Sequence, residues 1–335
     1  MNPKSLPKLD LNVTNDCNLR CVHCCFKSGG RAMGEMSLKQ FERLFTDFVA
    51  LGGTRIDVTG GEPFMRRDIL EIIEMAIRQF KLRTELVTNS LLLNEGIIRR
   101  LYTLNLPEMA VSIDGSTAEK HAQIRGTNSE DFEKIKLHLK TAADLGIKTK
   151  VNTVVFATNL ADLPTITELA IELGAREHGF YYFSPIGRGD TRSDLVADPL
   201  DWLKMIREQL VRFRADIKLS LETPILESDL AAKCDVSCYL SNPWHLQILP
   251  DGNVYPCAIM AAYGRPLGSL VTKRLAKIWL ADELHDGTLY REEATPLFEK
   301  FKSCVCYQAM PALVESGKFV PVCLCRKFKI DEVMR

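Results

Sequence analysis

The sequence predicts an α/β fold: a partial (βα)6 TIM-like barrel followed by a small cysteine-rich C-terminal module. Two observations carry that prediction. From residue 9 to about residue 185, short β-branched runs alternate six times with amphipathic helical stretches, and strand–helix repeats with right-handed crossovers build a parallel sheet. Beyond residue 230 the pattern stops, and seven of the eleven cysteines fall there. A chain of 335 residues can hold one large barrel or two ordinary domains.

The elements follow in order. "KLDLNVT" (8–14) reads as the first strand and leads into a cysteine loop. "SLKQFERLFTDFVALGG" is the helix after it, with Ser37 as N-cap and glycines closing it. "TRIDVTGG" (54–61) is the next strand and "RRDILEIIEMAIRQF" the next helix, apolar at Ile69, Ile72, Ile73 and Ala76. "TELVTNS" precedes "NEGIIRRLYTL", "EMAVSIDG" precedes "SEDFEKIKLHLKTAADLG", and "KTKVNTVVF" precedes "DLPTITELAIELG". "EHGFYYFSP" (177–185) is the sixth strand, and a further helix is expected from Leu200 to about Phe213. The irregular text that follows sets a boundary near residues 215–230, with a core over 1–215 and a metal-stapled module over 216–335.

Composition narrows the function. With 46% hydrophobic and 26% charged residues the chain is globular, and a net charge of zero gives no global field for nucleic acid or anionic lipid. The N-terminal stretch lacks a signal peptide's apolar run, and no run approaches the roughly 20 apolar residues that span a bilayer. These features place the protein in the cytoplasm, where thiols stay reduced. Eleven cysteines there point to metal or redox chemistry over disulfides.

"CNLRCVHCC" (17–25) follows the first strand. Cys17, Cys21 and Cys24 have C-x3-C-x2-C spacing, and three thiolates can hold three irons of a [4Fe–4S] cube while the fourth iron stays open. Structural zinc needs four protein ligands, and Cys25 is badly placed to be the fourth. Cys25 reads instead as a small buried hydrophobe. Strand ends are where ligands sit in such sheets. "GGEP" (60–63) ends the second strand, "VTNS" (87–90) the third and "VSIDG" (111–115) the fourth.

The cysteine spacing, in this loop, resembles the signature of the radical S-adenosylmethionine (SAM) superfamily. That resemblance implies that Cys17, Cys21 and Cys24 are both cluster ligands and catalytic residues. It implies that Gly60, Gly61, Glu62 and Pro63 grip the methionine amino group, that Asn89 faces the site, and that Ser112 contacts the SAM carboxylate or ribose. Arg125 in "IRG" resembles the arginine that pairs with the SAM carboxylate, Asn152 is a candidate ribose contact, and Asp114 a candidate for positioning substrate. His23 stands where the family has an aromatic before the third cysteine. The implied activity is reductive cleavage of SAM to a 5′-deoxyadenosyl radical that abstracts a substrate hydrogen, fed by a low-potential donor of flavodoxin or ferredoxin type.

"CYLSNPWHLQILPDGNVYPC" sets thirteen residues between Cys238 and Gly252 and four between Gly252 and Cys257, with a hairpin expected at "LPDGNVYPC". This resembles the start of the SPASM module, which carries auxiliary [4Fe–4S] clusters. C-x-C pairs at Cys304/Cys306 and Cys323/Cys325 depart from the module's usual spacing. One or two auxiliary clusters are expected on Cys238, Cys257, Cys304, Cys306, Cys323 and Cys325, with zinc the alternative for the C-x-C pairs. A thiol among Cys234, Cys306 and Cys325 is a candidate hydrogen donor to a substrate radical. SPASM extensions point to maturation of a ribosomally made peptide or protein. Only sixteen residues precede Cys17, so leader recognition is expected from a separate leader-peptide-binding protein. "FYYFSPIGRGD" (180–190) also resembles haem-pathway radical SAM text, which makes a tetrapyrrole or other small molecule the alternative substrate. A non-enzymatic iron–sulfur or zinc protein is a third reading, and GGEP, Ser112 and Arg125 argue against it.

Overall fold

The computed structural model describes residues 5–29, 34–183, 185–198, 201–202, 204–205, 210–213, 215–222, 245–263, 265–281, 284 and 327–329. Parallel strands β1 (Lys8–Asn12), β2 (Arg55–Thr59), β3 (Arg83–Thr88), β4 (Glu108–Ser112), β5 (Thr149–Val155) and β6 (Glu177–Tyr182) pair in sequence order. A seventh, β7 (Lys218–Glu222), continues the run in parallel with β6, in a stretch whose short "KLSLE" gives little periodicity to read. β8 (His245–Ile248) pairs in parallel with the other edge of β1. The expected hairpin then forms: β9 (Asn253–Tyr255) returns antiparallel to β8 around Gly252, and β10 (Gly268–Ser269) caps that edge. β11 (Lys327–Lys329) closes the far edge, antiparallel to β7. Of the helix expected over 200–213, the described part is helical at 201–202 and 204–205 and ends in a 3-10 turn, Leu210–Phe213.

The helices cover one face. α1 (Leu38–Ala50) starts at Ser37 with a full capping box to Gln40, worth about 1 kcal/mol. It buries Phe41, Phe45 and Phe48 against the outer face of the sheet, each burial worth about 1.5–3 kcal/mol. α2 (Ile69–Glu74) buries Ile69, Ile72 and Ile73 and widens into a π turn over Met75–Gln79. α3 (Glu95–Thr103), α5 (Ser129–Leu145) and α6 (Leu163–Glu172) complete the layer. α4 (Ala118–Arg125) is an extra short helix before α5, and α7 (Ala258–Tyr263) and α8 (Leu275–Trp279) follow the hairpin. Leu9, Leu11, Ile56, Val58, Leu86, Met109, Val111 and Val151 point outward into the main core, and a smaller cluster joins Ile124, Phe156, Phe183 and Leu195.

The alternate residues of the same strands point inward, and near the strand starts they are charged. Lys8 pairs with Asp10 at 2.8 Å and with Asp57 at 2.7 Å, and Arg55 joins Asp57 at 2.9 Å and also Glu85. Lys150, 1% exposed, reaches Glu177 at 3.1 Å and, over the small Ala110, Glu85 at 4.0 Å. Lys218 pairs with Glu177, and His245 lies 3.3 Å from Asp10. These contacts link β8 to β7 as a girdle across the floor of the barrel. A parallel strand covered on both faces by apolar layers reads as continuous hydrophobics; the alternation in "KLDLN", "RIDVT" and "KTKVNTV" marks a polar interior instead.

Candidate active site

The cysteine loop runs from the C-terminal end of β1 and is stitched down on three sides. Gly61 N–H donates to Thr14 O and Glu62 N–H to Asp16 O, both at 2.8 Å. A Cβ on Gly60 would lie 2.6 Å from Thr14 O, and one on Gly61 2.2 Å from Asp16 O. The close approach that the GGEP glycines permit is therefore first an approach to this loop. From the α4 side, Val22 N–H donates to Ile124 O at 3.0 Å. From the β3 side, the Asn89 amide donates to Asn18 Oδ1 at 2.8 Å while its own Oδ1 accepts from Leu91 N–H.

Glu62 is fully buried and caps the 3-10 turn Pro63–Met65. Its Oε1 accepts from the Thr88 hydroxyl at 2.7 Å and from Phe64 N–H at 3.3 Å, and Oε2 accepts from Asn89 N–H at 2.8 Å. Burial pushes its pKa up to about 7 against these hydrogen bonds, which favour the charged form. So Glu62 joins the ends of β2 and β3, with one oxygen lone pair left for a ligand. Ser90, the last residue of "VTNS", takes φ +63, the left-handed region glycine adopts at no steric cost.

Asp114 differs from its expected role. Its Oδ2 pairs with Arg125 Nε at 2.5 Å and Oδ1 accepts from Val154 N–H at 2.8 Å, with no exposed surface. Each oxygen has a protein partner and the carboxyl has no exposed surface, so Asp114 aims Arg125. The guanidinium beside it holds its carboxyl below the usual range. Arg125, the last residue of α4 before the left-handed Gly126, also sets Nη1 4.0 Å from Cys21 Sγ. Ser112 and Asn152 face each other in register on β4 and β5, on the inward side.

The three thiols lie at the mouth of the barrel, close enough that Cys17 feels Cys21 and Cys24, and Cys21 feels Cys24. Cys17 Sγ accepts from Leu19 N–H at 3.4 Å and Cys24 Sγ from Ser28 N–H at 3.3 Å. Burial pushes Cys17 up to about 11, and Cys21 upward too. Among the described residues no three His, Cys, Asp or Glu side chains converge on one ion position. A cube takes each thiolate on a different iron, so three cysteines in one loop can hold three of its irons. Among the described residues, Asn152 Oδ1 and His23 Nδ1 are buried with no hydrogen-bond partner, which fits a ligand with hydroxyl and amino groups beside the loop. His23 is held neutral, its pKa lowered to about 4 by burial and by Arg125, and meets Phe156 edge-on at 5.5 Å. The residues present thus fit a [4Fe–4S] cluster and SAM.

Cys25 is half-buried, its thiol pushed up to about 12 by burial. With Phe26 it lines a cleft of about 330 Å³ that faces Leu249 and Asp251 of the hairpin and Ala261 of α7. Cys257 is buried just after β9. Cys234, Cys238, Cys304, Cys306, Cys323 and Cys325 lie outside the described residues. No described helix is long and apolar enough to cross a membrane.

Comparison with known proteins agrees with this geometry. The radical SAM superfamily model matches residues 11–170, and the SPASM iron–sulfur cluster-binding domain matches residues 238–307. The AdoMet-dependent heme synthase of Methanosarcina barkeri is 32% identical over 58% of this chain and 55% of its own length. The mycofactocin maturase MftC of Mycobacterium tuberculosis is 32% identical over 74% of this chain and 63% of its own. The chain thus spans under two thirds of both relatives. The crystal structure of Streptococcus suis SuiB bound to precursor peptide SuiA has the same fold, with a TM-score of 0.73 at 17% identity over 86% of this chain and 68% of that one. Such a domain implies a [4Fe–4S] cluster and SAM, and the module implies auxiliary iron–sulfur clusters. The loop and the residues of the pocket thus lie within residues 11–170, which match the radical SAM superfamily, and residues 238–307 match the SPASM iron–sulfur cluster-binding domain.

Proposed function

We propose that this protein is a cytoplasmic radical SAM maturase that modifies a ribosomally made peptide or protein. The observation that carries the reading is the joint presence of both domains, with similarity to a maturase extending over 74% of the chain. The cluster and SAM, when bound, supply reductive C5′–S cleavage and hydrogen abstraction from substrate. The chain's own residues do the rest. Cys17, Cys21 and Cys24 hold three irons and leave one site for SAM. The strand-end carbonyls of Gly60 and Gly61 and the free lone pair of Glu62 receive an ammonium, whose charge favours the ionised carboxylate. Pro63 sets the turn beneath them. Arg125, aimed by Asp114, receives a carboxylate; Ser112 and Asn152 Oδ1 meet ribose hydroxyls, and Asn89 anchors the loop to β3. The cleft between Cys25 and the hairpin gives a peptide a path to the loop. We assign Cys238, Cys257, Cys304, Cys306, Cys323 and Cys325 to auxiliary clusters, with electrons from a flavodoxin- or ferredoxin-type donor and leader recognition by a separate protein.

A tetrapyrrole substrate is the second reading, favoured by the heme synthase similarity over 58% of the chain. Reconstituted protein incubated anaerobically with SAM, dithionite and peptides encoded beside its gene should produce a peptide of altered mass. Turnover of a tetrapyrrole, with every such peptide unchanged, would favour the second reading and remove the first.

A further inference from the structure

The cysteine loop is also clamped from the far side of the barrel, by Arg188. This residue lies just after β6 in the run Gly187–Arg188–Gly189. Its backbone N–H donates to Cys24 O at 2.9 Å, its Nη1 to Cys21 O at 3.0 Å and its Nη2 to Ser28 O at 2.6 Å. Gly187 takes φ +61, and a Cβ there would lie 2.2 Å from Cys25 O. The turn therefore packs backbone to backbone on the loop, and only glycine fits. Arg20 holds the other carbonyls, with Nη1 on Cys17 O at 2.7 Å and Nη2 on Gly29 O at 2.6 Å.

Charge sets Arg188 apart from Arg125. Arg125 is paired with Asp114, whereas no described carboxylate lies within ion-pair distance of the half-buried Arg188. A guanidinium bonded to the backbone of Cys21, with its own main chain bonded to Cys24, holds a cation beside the negative charge those two thiolates bring. Hydrogen bonds and net charge around a cluster set its potential, and residues that orient ligands govern metal retention.

We propose that Arg188 is a positioning residue for the SAM-binding cluster: it holds the Cys21–Ser28 backbone in ligand-ready form and its positive charge favours the reduced cluster. The inference rests on the assignment of that cluster to Cys17, Cys21 and Cys24. The test uses the full chain, reconstituted anaerobically, as native protein, Arg188→Gln and Arg188→Lys. Iron release to a chelator and the midpoint potential of the reducible cluster, followed by electron paramagnetic resonance, are measured for each. Arg188→Gln should release iron about tenfold faster, and its remaining cluster should have a lower potential. Arg188→Lys, with the charge kept and the fork lost, should release iron faster at a near-native potential. If Arg188→Gln retains no cluster, faster iron release from Arg188→Lys still supports the clamp, and native-like release overturns it. Faster release with an unchanged potential in Arg188→Gln would make the residue a structural tie only and overturn the proposal, as would native behaviour in both. Native protein that takes up no cluster at this loop would remove the assignment itself, and Arg188's role with it.

Discussion

The two ends of the barrel use the same inward-facing strand positions in opposite ways. At the floor, Lys8, Asp57, Arg55, Glu85, Lys150 and Glu177 satisfy one another. At the mouth, two strand residues further along β5, Asn152 carries a buried oxygen with no partner among the described residues, and the Cys17 and Cys24 thiols each accept a backbone N–H. Buried polar groups are nearly always paired, so a saturated layer is there for the fold and an unsaturated one waits for a ligand. Proximity to the motif is a weaker guide than partnership. Glu62 and Asp114 lie at the mouth, yet every one of their carboxyl oxygens is bonded to the protein.

Substitutions should separate the two layers. The largest effect belongs to Lys150→Met on the floor, which leaves Glu177 and Glu85 short of a buried partner and should cost about 3 kcal/mol. Denaturant unfolding measures it, while SAM affinity per folded molecule should stay native. Glu62→Gln comes next, and its signature is pH dependence. A carboxyl raised from 4.5 to about 7 binds more protons folded than unfolded in that window. Its contribution is therefore lost as pH rises through the window, on the order of 3 kcal/mol in the cluster-free protein. Buried His23, His121, His178 and His245, all lowered, pull the other way. The Glu62 part is thus read as the difference between native and Glu62→Gln unfolding at pH 5 and pH 7.5. Unfolding curves whose separation does not change between those pH values would contradict it.

Asn152→Ala inverts the floor result. Removing an unpartnered oxygen should leave stability within about 0.5 kcal/mol and weaken SAM binding about tenfold, the loss of one hydrogen bond. Calorimetric titration of reconstituted protein measures this, and unchanged affinity would move Asn152 out of the pocket. The smallest effect is expected from Arg99→Ala on α3, whose exposed pair with Glu95 should matter by only about 0.3–0.5 kcal/mol.

Much of this contrast was legible in the sequence and some was not. Ser37 capped its helix as read, six strands fell in order, and the D-G hairpin formed, because local signals decide these elements. β7 was missed because five residues carry too little pattern, and α4 because its helix has no apolar face to announce it. The floor girdle left a signal in the alternation of charged and apolar residues along "KLDLN" and "RIDVT". Asp114's commitment to Arg125 and Val154, and Arg188's hold on Cys21 and Ser28, left none. Those contacts join residues up to 167 positions apart, and only the folded chain brings them together.

The central claim is that Cys17, Cys21 and Cys24 together carry the cluster that cleaves SAM. Its most direct test is 5′-deoxyadenosine release from anaerobically reconstituted protein given SAM and dithionite, native against the triple Cys17/Cys21/Cys24→Ala variant. Native protein should release it and the triple variant none, even with auxiliary iron retained. Iron-loaded native protein that releases none, or a triple variant that matches it, would contradict the account.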